Sequence, residues 1–371
     1  MSVDQDLTER VDSLSSATPQ IPINENTVTS RRSFVVTPQL LTQAIAPVTL
    51  AAILFFFSIM TPTFLTGDNL VAVISQMALL ALVATGLTIV IRAGGIDLSI
   101  GVALDLGALA SAALIYDGYR AWVAVVGGLL AALLVGLVNA GLIVLLKIPP
   151  FLATLSIWFV GTSVQQLFTN GGAPIYLSAP RVPEGFAVIG RGYWLEIDAA
   201  VINFVVVAIL VTLLIAVTRY GRKLTHTGEQ PGAAFFSGLK TKRLTASSYV
   251  LCSLIAGFAG VILASRTNSF VPGSGQAYLM DAIGAVCIGA TLSRFGRVSV
   301  PGTLVGVLIF ALLSNGMNLV GLSFFWQGLG RGLVLLAVLV LASFLAKRSG
   351  RTFELSRWLT TKKPTSKGAA Q

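Results

Sequence analysis

Charge disappears from this chain for a helix length at a time. Between Gln39 and Ile91 the only charged residue is Asp68, and there is none from Ala121 to Leu146 or from Val298 to Gly330. A hydrocarbon layer about 30 Å thick needs about 20 apolar residues to cross it as a helix. Ten segments are candidates: 43–63, 70–91, 96–115, 121–146, 150–169, 199–218, 245–265, 280–293, 300–321 and 325–346. The third and eighth are short or broken by glycine, and they carry acids (Asp97 and Asp105, and Asp281). They are kept because the charges in the loops alternate sensibly only with both present. The expected fold is an all-α polytopic membrane protein with about ten transmembrane helices.

Hydrophobic residues make up 55% of the 371 positions and charged residues 11%, where soluble domains carry about 25% charged. That excludes a soluble enzyme, a disordered chain and a disulfide-stapled domain. The two cysteines, Cys252 and Cys287, sit in apolar runs and read as small buried hydrophobes. The net charge of +10 does not mark a nucleic-acid face, which would not be interrupted by uncharged spans. With the N-terminus inside and the spans alternating, twenty of the 25 basic residues fall on the cytoplasmic side. Arg120, Arg181, Arg191, Arg266 and Arg331 fall outside. The positive-inside rule expects this asymmetry, so both termini are placed in the cytoplasm. Residues 1–42 read as a disordered cytoplasmic tail, 43–346 as the membrane domain and 347–371 as a basic cytoplasmic tail.

The inner loop 219–244 is strongly basic yet contains an apolar Ala233-Ala234-Phe235-Phe236 run. Pro231 suits the first turn of a short helix and Gly238 its end. Spans two to five and seven to ten have similar sizes, each set with a broken second member. That is the pattern of an inverted repeat of two five-helix halves.

Little here carries covalent chemistry. His226 is the only histidine, and neither a metal-binding motif nor a phosphate-binding GxxxxGK[ST] loop occurs. The polar residues inside the spans are the candidates for function. Asp97 reads either as part of a polar path or as the cap of a helix start. Asp105, among Leu98, Ile100, Val102, Leu104 and Leu106, must turn inward. Hydrogen bonding to Asn139, threonine or water is its expected compensation. Asn139, Asn315 and Asn318 either bridge helices or line a path. Gly302-x-x-x-Gly306 and Gly328-x-x-x-Gly332 permit close helix approach.

Gly94-Gly95-Ile96-Asp97-Leu98-Ser99-Ile100-Gly101 resembles the Gly-Gly-Ile-Asp-Leu-Ser-Val-Gly motif of ribose-type ABC importer permeases. Lys147-Ile148-Pro149-Pro150-Phe151-Leu152-Ala153-Thr154-Leu155 is similar to their next signature. Tyr220-Gly221-Arg222, Ala233-Ala234, Ser237-Gly238 and Lys242-Arg243 resemble their inner loop. Asp281-Ala282-Ile283, Ile288-Gly289-Ala290-Thr291, Pro301-Gly302-Thr303-Leu304 and Asn315-Gly316-Met317-Asn318-Leu319 follow in family order. The resemblance covers about residues 45 to 346.

It implies a non-enzymatic permease subunit in the bacterial inner membrane. Its implied partners are a second permease chain (the same or different), a cytoplasmic ATPase that consumes the ATP, and a periplasmic binding protein that delivers a pentose or hexose. No cofactor or metal is expected in this chain, and no nucleic-acid partner; membrane lipid surrounds it. The resemblance places ATPase coupling on Gly228, Ala233, Ala234, Ser237 and Gly238. Candidates for the translocation path are Asp97, Ser99, Asp105, Asn139, Phe151, Thr154, Asn315 and Asn318. Three departures stand out: Glu229-Gln230-Pro231 after Gly228, Ala290 where a second glycine is usual, and Asp105 where the family is apolar or small. The rivals are a permease for another small polar solute (a branched-chain amino acid, a nucleoside or an autoinducer) and an ion-coupled secondary transporter using Asp97 and Asp105.

Overall fold

A computed structural model describes residues 38–178, 180, 182–293 and 296–348. The two tails expected at 1–42 and 347–371 therefore lie almost wholly outside the described residues. Thirteen helices follow in order. They are α1 Pro38–Met60, α2 Gly67–Arg92, α3 Ile100–Tyr116, α4 Ala121–Ala140, α5 Pro150–Phe168, α6 Glu184–Arg191 and α7 Ala199–Ala216. Then come α8 Arg219–Glu229, α9 Pro231–Phe236, α10 Thr241–Thr267, α11 Ser274–Thr291, α12 Val300–Leu319 and α13 Phe324–Arg348. Four two-residue strands form two small antiparallel pairs: β1 Ile175–Tyr176 with the distant β4 Ser269–Phe270, and β2 Tyr193–Trp194 with β3 Ile197–Asp198 in a hairpin.

Ten of these helices occupy the ten expected segments. Eight are long and apolar enough to cross a membrane. The other two, α3 and α11, are the pair that the sequence marks as interrupted. The boundary of α11 differs from expectation: it begins at Ser274 rather than 280, so Asp281 sits in its second turn instead of opening it. The connection 170–198 contains β1, α6, β2 and β3.

Small residues decide how the helices pack, because lipid tails supply no hydrophobic force between them. Helix α10 runs against α2, α3 and α4. A Cβ at Gly260 would stand 2.0 Å from the Leu104 carbonyl, and one at Gly257 would meet Ala132 at 2.1 Å. Helices α11 and α12 pair the same way, through Gly289 against Gly302 and Gly306 against Ala285. Thus Gly302-x-x-x-Gly306 is a packing face. Gly328 and Gly332 have nothing within 4 Å of a built Cβ, so the second motif of this kind makes no close approach within the described residues.

Caps fix several starts. Asp198 accepts from the Ala200 amide at the start of α7, and Thr218 from the Gly221 amide at the start of α8. Helix α4 ends in one wide turn, Gly141–Leu145, and the chain turns at Lys147 (φ 57°) before Pro149 and Pro150 open α5.

Candidate functional site

The first cluster is the corner between α2 and α3, built by the Gly94–Gly101 motif. Gly94 turns the chain with φ 87°. Gly95 leaves room for the Tyr249 ring, whose hydroxyl donates to the Ile96 carbonyl at 3.2 Å. Asp97 does not occupy the cap position; Ser99 does. The Asp97 carboxylate instead accepts from the Ser99 amide at 2.8 Å and the Ser99 hydroxyl at 2.6 Å. Asn139 of α4 donates to the Ser99 hydroxyl at 2.6 Å. Cys252 is fully buried, as expected of a small hydrophobe. Asp97, Ser99, Asn139 and Thr154 have no exposed surface. Thr154 spends its hydroxyl on the Pro150 carbonyl of its own helix at 2.9 Å. Phe151, three residues earlier on α5, is 47% exposed.

The second cluster lies where α3 meets the start of α11. Gly101 and Gly275 face each other backbone to backbone. Asp105 accepts from the Gly275 amide at 2.7 Å, and Gln165 of α5 accepts from the Gly273 amide at 2.9 Å. Asn139, threonine or water is the expected compensation for Asp105; Asn139 is engaged with Ser99, and a helix N-terminus supplies the donor instead. Unsatisfied amides at a helix start and their positive end favour a carboxylate there.

The remaining polar residues separate. Asn315 and Asn69 exchange two hydrogen bonds of 2.9 Å, tying α12 to α2. Asn318, one turn on, is exposed and accepts from Gln327 of α13 at 2.6 Å. Asp281 pairs with Arg331 across α11 and α13. Sequence spacing could not show this pair, since 50 residues separate its members.

Each end of the bundle carries its own charged network. At one end Arg266 of α10 reaches Asp198 at 3.3 Å and the Ser75 hydroxyl at 2.6 Å. At the other, Arg92 donates to the Thr225 hydroxyl at 2.9 Å and to the Val298 carbonyl, while Arg297 donates to Glu229 at 2.9 Å. Helix α9 follows directly. Its Ala234 faces inward, only 4% exposed, whereas Phe235 is 65% and Phe236 89% exposed. Ala233, Ser237 and Gly238 are also exposed, and Gly238 ends the helix with φ 78°. Gly228 packs on the Arg92 carbonyl, 2.2 Å from a built Cβ. Of the five coupling candidates, Gly228 and Ala234 thus serve the chain's own packing. Motif matching passed over the two exposed phenylalanines, whose adjacency to Ala233-Ala234 was the available signal.

Residues 69–342 match the family described as branched-chain amino acid transport system / permease component. The ribose import permease protein of Bacillus subtilis is 36% identical over 284 residues, which is 76% of this chain and 87% of that protein. The ribose import permease protein of Escherichia coli K12 is 32% identical over 315 residues, 85% of this chain and 97% of that protein. The L-arabinose ABC transporter permease protein of Azospirillum brasilense is 30% identical over 283 residues, 76% of this chain and 82% of that protein. No solved structure matches the chain. A family match over most of the apolar helices, together with these relatives, makes the chain a member of this family of membrane-embedded transport permeases.

Proposed function

We propose that this chain is the membrane-spanning permease subunit of an ATP-driven importer of a pentose or hexose. The similarity to sugar import permeases along nearly their whole length carries this reading. The buried polar clusters fit it better than ion coupling. The Asp97 carboxylate is engaged by Ser99 and Asp105 by a helix start, so both acids have structural work in the chain.

ATP is hydrolysed by a separate subunit that docks on the α8–α9 face. Ala233, Phe235, Phe236, Ser237 and Gly238 form the contact, while Gly228 holds α8, and Ala234 holds α9, on the bundle. That face is basic and lies in the cytoplasm, as the charge asymmetry expects. A second permease chain and a binding protein on the opposite side complete the importer in the bacterial inner membrane. Loss and complementation of the chain test the substrate. Uptake of labelled ribose, arabinose, fructose and leucine is compared in cells with and without it. Loss of one sugar's uptake supports the reading; loss of leucine uptake alone favours the amino-acid rival named in the family description.

A further inference from the structure

A cavity of about 200 Å³ opens beside the second polar cluster, at the end of the bundle that carries Arg266. Ala108 of α3 lies in its wall, one turn beyond Asp105. Thr267, Ser269 and Phe270 line it from the end of α10 and β4, and Ser274 and Tyr278 from the start of α11.

The hydroxyls in this wall fall into two kinds. Thr267 donates to the Leu263 carbonyl at 2.9 Å and Ser274 to the Val271 carbonyl at 2.6 Å. Their protons are spent, so toward the cavity they are acceptors. Ser269 and Tyr278 make no side-chain hydrogen bond with the described residues, and a hydroxyl can both donate and accept. The Tyr278 ring supplies apolar surface beside them, and the buried Phe270 backs the wall. A ligand that fits must offer several hydroxyls of both senses around a compact body with apolar edges. The volume lies below the range of about 300–1,000 Å³ that holds drug-sized ligands, which limits it to one small ring. No charged side chain lines the wall, so the ammonium and carboxylate of an amino acid would be desolvated without counter-charges.

We infer that this cavity is a subsite within the permease for a single monosaccharide, occupied at the mouth where solute enters. The inference rests on the sugar-import reading above and adds where the chain itself holds the solute.

The test uses the full chain assembled with its partner subunits. A Thr267→Cys variant is modified with 2-aminoethyl methanethiosulfonate, and the wild-type chain, with Cys252 and Cys287, gives the background. D-ribose, L-arabinose, D-fructose and L-leucine are added in turn. The sugar that the assembly transports is expected to slow modification at least about threefold, and leucine to leave it unchanged. Adding Tyr278→Phe keeps the ring but removes one hydrogen bond, so the half-protecting concentration should rise about threefold to tenfold. The unprotected rate of modification should not change, as it would if the wall had collapsed. A transported sugar that gives no protection overturns the subsite alone, as does protection unchanged by both Tyr278→Phe and Ser274→Ala. If none of the sugars is transported, the import reading falls and the subsite falls with it.

Discussion

Helices α3 and α11 both begin after a break in the chain, and their first turns meet at Gly101 and Gly275, yet they are closed in opposite ways. The start of α3 is closed from within its own segment: Asp97 takes the Ser99 amide two residues on. The start of α11 is closed by other helices. Its Gly273 amide is held by Gln165, 108 residues earlier in the chain, and its Gly275 amide by Asp105, 170 residues earlier. A locally closed start can form before the bundle assembles. A start closed by distant acceptors leaves buried amides unpaired until α3, α5 and α11 are all in place.

Substitutions at the shared contact should have the largest effect. Gly275→Val would drive side-chain atoms into the Gly101 carbonyl, 2.1 Å from even a bare Cβ. A loss of about 3 kcal/mol and poor accumulation in the membrane are expected, read by thermal unfolding of the detergent-purified chain and by its membrane level. A near-normal unfolding temperature would show that α11 can slide past α3. Next is Asp105→Ala, which orphans the Gly275 amide and should cost about 2 kcal/mol. Asp105→Asn keeps an acceptor in the same place and should retain most of the stability and uptake. Complete loss of uptake in a normally assembled Asp105→Asn chain would move Asp105 from structure to transport. Asp97→Ala, which removes the local acceptor of the Ser99 amide, should cost about 1 kcal/mol. If it proved the costlier of the two alanine changes, the contrast between local and distant closure would be reversed. Gly328→Leu should be smallest, within about 0.5 kcal/mol, because nothing lies within 4 Å of a Cβ there.

That contrast also separates what the sequence carries locally from what only the assembled bundle defines. The ten apolar segments were visible because apolar run length alone specifies a membrane helix. At the α2–α3 corner only the Asp97–Ser99 contact is local; the cap falls on Ser99 rather than Asp97, and Asn139 and Tyr249 reach it from distant helices. The true start of α11 was not visible: Ser274, Gly275 and Gln276 are ordinary polar residues until Asp105 and Gln165 are brought to them. The same holds for Asp281 with Arg331 and for Asn69 with Asn315, which carry no spacing signal. The α9 helix shows a different gap. Its existence follows from Pro231 and Gly238, but which of its residues face out depends on the bundle beneath, so Ala234 and Phe236 could not be sorted by type.

The most direct test of the transport reading is solute uptake into proteoliposomes holding this chain, its cognate ATPase and its binding protein. The account predicts that one sugar accumulates only with ATP on the α9 side and binding protein on the other. Charge substitution of the two exposed phenylalanines, Phe235→Asp with Phe236→Asp, should abolish that accumulation and release the ATPase. Accumulation by this chain alone, driven by a proton or sodium gradient without ATP, would contradict it.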